Sequence, residues 1–206
     1  MHKVVVTGGL GFIGSHVVDA LLADGREVTI IDSMVAAVTD GREYEPNARV
    51  HRSSIADYLA QGGSFKDADL VVQAASHVGP AGILKHQGNL GAEIVATTQE
   101  VIEECVEHDV ALISFSSAEV YGRSGMLAES DDIIVPVHYN ARLIHGPLYE
   151  EAESIQKLPV LDAAAAVGWS PRVTLDELID ETALYYRVRD DARESAAVPL
   201  DPRVRV

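Results

Sequence analysis

The segment Val4-Val5-Val6-Thr7-Gly8-Gly9-Leu10-Gly11-Phe12-Ile13-Gly14-Ser15-His16 constrains the fold more than any other part of the chain. A β-branched run reads as a strand buried on both faces. The apolar spacing of Ile13, Val17, Val18, Leu21 and Leu22 reads as the helix that follows it. Gly8 and Gly9 permit a sharp exit from the strand, Gly11 lets an anion approach the backbone, and Gly14 lets the helix pack closely. The helix N-terminus, with Phe12 and Ile13 in its first turn, then offers N–H groups and the positive end of its dipole to a phosphate.

A glycine run of this kind is informative only in context, and the context agrees. Gly25 closes the helix, and a second strand, Glu27–Ile31, delivers Asp32, 18 residues after Gly14 and followed by Ser33. An acidic side chain at that strand end accepts hydrogen bonds from the ribose hydroxyls of an adenosine and repels a 2′-phosphate, which favours NAD over NADP. The alternative, a glycine-rich turn with no ligand, leaves the strand, the helix and the acid unexplained together.

The 206 residues have room for one full α/β domain and a small appendage. The single cysteine, Cys105, excludes an internal disulfide, and its setting among Val101, Ile102 and Val106 reads as packing. No apolar run has the length of a membrane span, and the first strand begins too early for a signal peptide, so the cytoplasm is the expected compartment. The net charge is −16. That field opposes binding to nucleic acid or to an anionic membrane, and it obliges any nucleotide ligand to be held by local donors. His77, His86, His108 and His138 have no metal-ligand spacing, so no metal is expected.

Further strands are expected at Arg49–His51, Asp69–Ala74 and Val110–Phe115, with a short one at Ile133–Val135. Helical patterns lie around Ile55–Ala60 and from about Gly91 to His108. Strands alternating with helices predict a Rossmann-type, doubly wound parallel sheet with right-handed crossovers. We assign residues 1–147 to this dinucleotide-binding domain, 148–190 to a much reduced C-terminal helical appendage, and 191–206 to a frayed tail. Within the appendage, Leu148–Gln156 and Val160–Val167 read as helical, and Thr174-Leu175-Asp176-Glu177 reads as a capping box opening a helix to about Arg187. Trp169 reads as a packing anchor for that helix.

Three blocks resemble the extended short-chain dehydrogenase/reductases, the superfamily of NAD-dependent nucleotide-sugar epimerases, dehydratases and decarboxylases. They are Thr7–His16, Phe115-Ser116-Ser117-Ala118-Glu119-Val120-Tyr121-Gly122, and Val167-Gly168-Trp169-Ser170-Pro171. The resemblance implies that Ser117 hydrogen-bonds the sugar hydroxyl being oxidised, and that Glu119 performs acid/base steps on the sugar. It also implies that Ala74 and Ala75 cover the dinucleotide and that Ile55 lies near the adenine, with Ser54 replacing the family's Asp. Read from the residues alone, Glu119 is equally a solvent-facing loop acid and Ser117 a turn cap. Trp169 then either anchors the final helix or stacks on a ligand base.

The departures are chemical. Such enzymes use Tyr-x-x-x-Lys, and four residues after Tyr44, Tyr58, Tyr121, Tyr139, Tyr149, Tyr185 and Tyr186 stand Ala48, Gly62, Gly125, Leu143, Glu153, Arg189 and Asp190. No Lys occurs between Lys85 and Lys157. Two registers remain open. Tyr139 can stand as the acid/base with Arg142 near the lysine's place, or His145 can stand where the Tyr belongs, an imidazole able to serve as acid or base at neutral pH. An ordinary half-buried role for each is the plainer alternative. Relatives are also longer, and much of the substrate half has no counterpart here.

Two functions from different classes follow. One is a compact NAD-dependent enzyme acting on a nucleotide sugar, its pocket completed by a partner subunit such as the neighbour in a homodimer. In that reading transient oxidation makes a ketone that acidifies the adjacent carbon. The other is a non-catalytic NAD(H)-binding sensor that has kept the cofactor site. Retention of the Ser117–Glu119 loop favours the first, and loss of Tyr-x-x-x-Lys favours the second.

Overall fold

The structure is a computed structural model, and it describes residues 2–76, 90–116, 126–127, 158–159, 165–166 and 168–184. The chain divides into two compact units, residues 1–125 with 132–157, and residues 126–131 with 158–206.

In the first unit the elements run β1 (Lys3–Thr7), α1 (Phe12–Ala23), β2 (Glu27–Ile31), β3 (Ala48–His51), α2 (Ile55–Ala60), β4 (Leu70–Gln73), α3 (Leu90–Glu107) and β5 (Ala111–Ser114). The five strands form one sheet in the order β3-β2-β1-β4-β5, and every pairing is parallel. This is the doubly wound arrangement that the alternation of elements predicts. Side chains of a strand alternate between faces, and the core divides accordingly. Val4, Val6, Val28, Ile30 and Val72 pack with Leu10 and Val18 on the α1 side. Val5, Ile31 and Val71 pack with Ile55, Phe65, Val101 and Cys105 on the α2 and α3 side. Burial on both faces is why β1 reads as an unbroken apolar run.

The helix termini follow local chemistry. Gly25 (φ +71) ends α1, with its N–H on Leu22 O at 3.0 Å and that of Arg26 on Leu21 O at 3.0 Å. This pair of bonds is a Schellman motif, which needs the left-handed residue that glycine supplies. Ser54 caps α2, its hydroxyl accepting from Asp57 N at 3.0 Å. Cys105 is buried, and burial pushes its thiol above the usual range, with nearby Glu104 adding to the effect.

Glu104 fastens the C-terminal end of α3 to the turn before β4. One of its carboxylate oxygens accepts from the Ser64 hydroxyl at 2.6 Å and from Phe65 N at 3.0 Å, and stands 3.2 Å from His108 Nε2. Burial works against the charged form, but those hydrogen bonds and His108 outweigh it and hold the carboxyl below its ordinary value. Glu107 completes a group of three with Glu104 and His108 that is close enough to hold a cation, a grouping invisible in the histidine spacing.

A depressed folded-state pKa contributes stability that is full above the unfolded carboxyl value and is lost as pH falls through the folded one. Glu104→Gln is therefore expected to cost about 1–3 kcal/mol near neutral pH and much less in acid. Urea unfolding at a series of pH values checks this. Parent and variant curves separated by the same amount at every pH would remove Glu104 from the acid sensitivity.

In the second unit β6 (Met126–Leu127) and β7 (Leu158–Pro159) form a parallel pair that the sequence pattern does not suggest. Residues 165–166 are helical and Gly168 has φ +77. The capping box forms as predicted. Thr174 N and Oγ1 each reach Glu177 Oε2 at 2.8 Å, and Glu177 N donates back to Thr174 Oγ1 at 3.3 Å. These bonds from Thr174 lower the Glu177 pKa, and residues 175–184 are helical behind them. Trp169 is 55% exposed, so no tight packing surrounds the side chain read as an anchor. The expected strand at Ile133–Val135, the helix at Leu148–Gln156 and the tail at 191–206 lie outside the described residues.

Candidate active site at the dinucleotide cleft

The strand order reverses between β1 and β4, the point where an open α/β sheet leaves a crevice at its strand carboxyl ends. A cleft open to solvent lies there. Its floor is the glycine loop. Gly8 N donates to Ile31 O at 2.8 Å and Ala74 N donates to Thr7 O at 2.9 Å, so the strand ladders carry straight into the loop.

Gly8 and Gly14 each answer a particular crowding. Gly8 takes φ +71, and a Cβ there would lie 2.6 Å from Ala75 N. A Cβ on Gly14 would lie 2.0 Å from Gly8 O. The close approach that Gly14 permits is thus between α1 and the loop backbone. Gly11 differs from both, since its Cβ would meet only Gly8 O, at 3.3 Å, and otherwise open space, and the residue lines the cleft.

Asp32 is 7% exposed. One carboxylate oxygen accepts from Leu10 N at 3.0 Å and the other from Met34 N at 2.8 Å. The acid therefore braces the glycine loop from β2 and still faces the cleft. A carboxylate has about four acceptor positions, so two remain for a ligand. Met34 is held at φ 68, a left-handed conformation at the turn beyond it.

Of the residues expected at the cofactor, Gly8, Gly11, Asp32, Ser33, Ala74 and Ala75 line the cleft together. Phe12 and Ile13 open α1 above Gly11. Ile55 is 5% exposed in the α2-side core and is absent from the described lining. Its neighbour Ser54 spends its hydroxyl on the α2 cap and on Asp57 Oδ2 at 2.6 Å. Sequence reasoning missed Val35, Ala36 and Ser76, and the wall that α3 supplies through Glu93, Ile94 and Thr97. Their spacing on a helix was the only available signal. Ser117, Glu119, Tyr139 and His145 lie outside the described residues.

The lining fits an adenine dinucleotide on its own chemistry. The first-turn N–H groups of a helix have no intrahelical acceptor, and no side chain caps α1 at Gly11. A diphosphate seated there meets backbone donors and the helix dipole. Asp32 stands where a ribose diol can donate to it. No Lys or Arg is among the described lining residues, so backbone N–H groups carry the anion in this part of the site.

Comparisons with known proteins agree with this geometry. The sequence profile of the NAD dependent epimerase/dehydratase family matches residues 4–141. A UDP-glucose 4-epimerase of Lacticaseibacillus casei is 36% identical over 75 residues, 35% of this chain and 22% of its own. A UDP-N-acetyl-alpha-D-glucosaminuronate decarboxylase of Bacillus cytotoxicus is 27% identical over 135 residues, 63% of this chain and 41% of its own. Among solved structures, the UDP-N-acetylglucosamine 4-epimerase of Methanobrevibacter ruminantium M1, in complex with UDP-N-acetylmuramic acid, superposes with a TM-score of 0.59. It is 29% identical, and the match covers 77% of this chain and 53% of that one. The chain thus spans about half or less of the relatives it matches. With the profile covering most of the chain and the cleft built for the same cofactor, this protein belongs to the NAD-dependent epimerase/dehydratase family.

Proposed function

We propose that the chain modifies a nucleotide sugar by transient oxidation of a sugar carbon, as an epimerase, dehydratase or decarboxylase. Bound NAD supplies the hydride acceptor. The observation that carries the reading is the junction at the end of β5. Phe115 N donates to Gln73 O at 3.0 Å, so Ser116 leaves the sheet at the carboxyl edge beside Ala74 and Ala75 of the cleft wall. The Ser117–Glu119 sequence follows immediately. In this reading Ser117 binds the reacting sugar hydroxyl and Glu119 takes the proton from the carbon next to the oxidised one. Tyr139 or His145 serves as the acid/base for the hydroxyl itself. In this reading a second copy completes the sugar pocket in a homodimer.

Loss of Tyr-x-x-x-Lys favours a second reading, an NAD(H)-binding sensor without turnover. The test is incubation of the protein with NAD and a panel of UDP-, dTDP- and GDP-sugars, followed by mass spectrometry and NMR. A changed sugar is expected. Glu119→Ala is then expected to lower turnover at least about 100-fold, the usual worth of a positioned acid or base, with NAD affinity unchanged. An unaltered panel with NAD bound would overturn the enzymatic reading in favour of the sensor. A fully active Glu119→Ala variant would remove that residue from the mechanism.

A further inference from the structure

Across β1, β4 and β5 the last row on the α2 and α3 side is polar, whereas Ile31 of β2, the register partner of Thr7, is apolar. Val5 and Val71 face that side in the core, so Thr7 and Gln73, two residues further along β1 and β4, face it as well. Leu112 packs against the same cluster, which places Ser114 of β5 in the row. The three are register partners or neighbours across adjacent strands, Thr7 with Gln73 and Gln73 with Ser114. Gln73 is 4% exposed. Its Oε1 accepts from the Ser114 hydroxyl at 3.2 Å, and its Nε2 donates to Thr98 Oγ1 of α3 at 3.3 Å. Thr7 Oγ1, fully buried beside them, has no partner.

An apolar side chain in place of Gln73 would continue the core at lower desolvation cost. The carboxamide bonds are long, so each adds little to stability. What they add is location. Beyond β4 the chain continues from Gln73 into Ala74, Ala75 and Ser76, one wall of the cleft, and α3 contributes Glu93, Ile94 and Thr97 as another. Among the described residues, Gln73 is bonded to both α3 and the end of β5.

We propose that Gln73 is a positioning residue of the NAD cleft, its buried carboxamide bolting α3 and the end of β5 to β4 so that the two cleft walls keep their separation. The proposal stands on the cofactor cleft alone and is independent of which sugar, if any, is turned over.

The test separates geometry from stability. Gln73→Met leaves two hydroxyls facing an apolar side chain and is expected to lower the melting temperature. The triple variant Gln73→Met, Thr98→Val and Ser114→Ala removes every described partner at once, which is nearly neutral for stability. It is expected to melt within about 3 °C of the parent yet to bind NAD at least tenfold more weakly by calorimetry. Thr98→Val, which deletes only the tie to α3, is expected to weaken NAD binding about threefold without loss of folding. Parent-like NAD affinity, within twofold, in either the triple variant or Thr98→Val would overturn the proposal and leave the row as packing.

Discussion

Gly14→Ala is expected to lower the melting temperature by about 10 °C. The added carbon would sit 2.0 Å from Gly8 O, a backbone atom that cannot step aside. Gly8 is held at φ +71, its amide bonds to Ile31 O, and its own α-carbon faces Ala75. Overpacking commonly costs about 1–3 kcal/mol, and a contact this short against fixed backbone belongs at or above the top of that range. At about 2–4 °C per kcal/mol for a chain of this size, the shift follows.

Gly11→Ala is the control that gives the result meaning. Its methyl would meet only Gly8 O, at 3.3 Å, on a residue that lines the cleft. The variant is expected to melt close to the parent and to lose NAD affinity by tenfold or more, because the diphosphate needs that space. Thermal melts and calorimetry on both variants check the pair. If Gly14→Ala melted like the parent, the loop could not be packed as described. If Gly11→Ala bound NAD normally, the diphosphate would sit elsewhere.

This contrast marks how far sequence reading reaches. The loop, the strand before it and the helix after it were legible because their causes are local: glycines where a Cβ cannot fit, β-branched residues in a doubly covered strand, a Schellman glycine at position 25. The capping box at Thr174 and Glu177 was legible for the same reason. The α3 wall was not. Glu93, Ile94 and Thr97 share a helix face with the same spacing as any amphipathic stripe, and only the crossover from β4 brings that face to the cleft. Ile55 illustrates the converse. Resemblance alone puts it near the adenine, and what the structure shows of it is a side chain in the core beside Phe65 at the start of the six-residue α2. The β6–β7 pair has two residues per strand, too few for any period to register. Asp32 was recognised for its charge, but its bonds to Leu10 and Met34 depend on how the loop folds back over β2.

That double role decides how Asp32 must be tested. Asp32→Ala is expected to weaken NAD binding at least 100-fold, but the number alone cannot assign the ribose contact. The substitution also strips the acceptor from Leu10 N, a buried donor, and from Met34 N, at a cost of about 1–3 kcal/mol for each donor left unsatisfied. A loosened glycine loop would lose the diphosphate whether or not the ribose touched the acid. A cycle with 2′-deoxy-NAD separates the two effects. The parent is expected to bind the deoxy cofactor about 10–100-fold more weakly than NAD, the value of a hydrogen bond to a carboxylate of about 1.5–3 kcal/mol. In Asp32→Ala that difference is expected to vanish, both cofactors binding equally weakly. Equal affinity of the parent for NAD and its 2′-deoxy form would sink the ribose contact and leave Asp32 as a brace for the loop alone. A difference that survived in Asp32→Ala would place the 2′-hydroxyl on another acceptor, for which Ser33 is the nearest lining candidate in the chain.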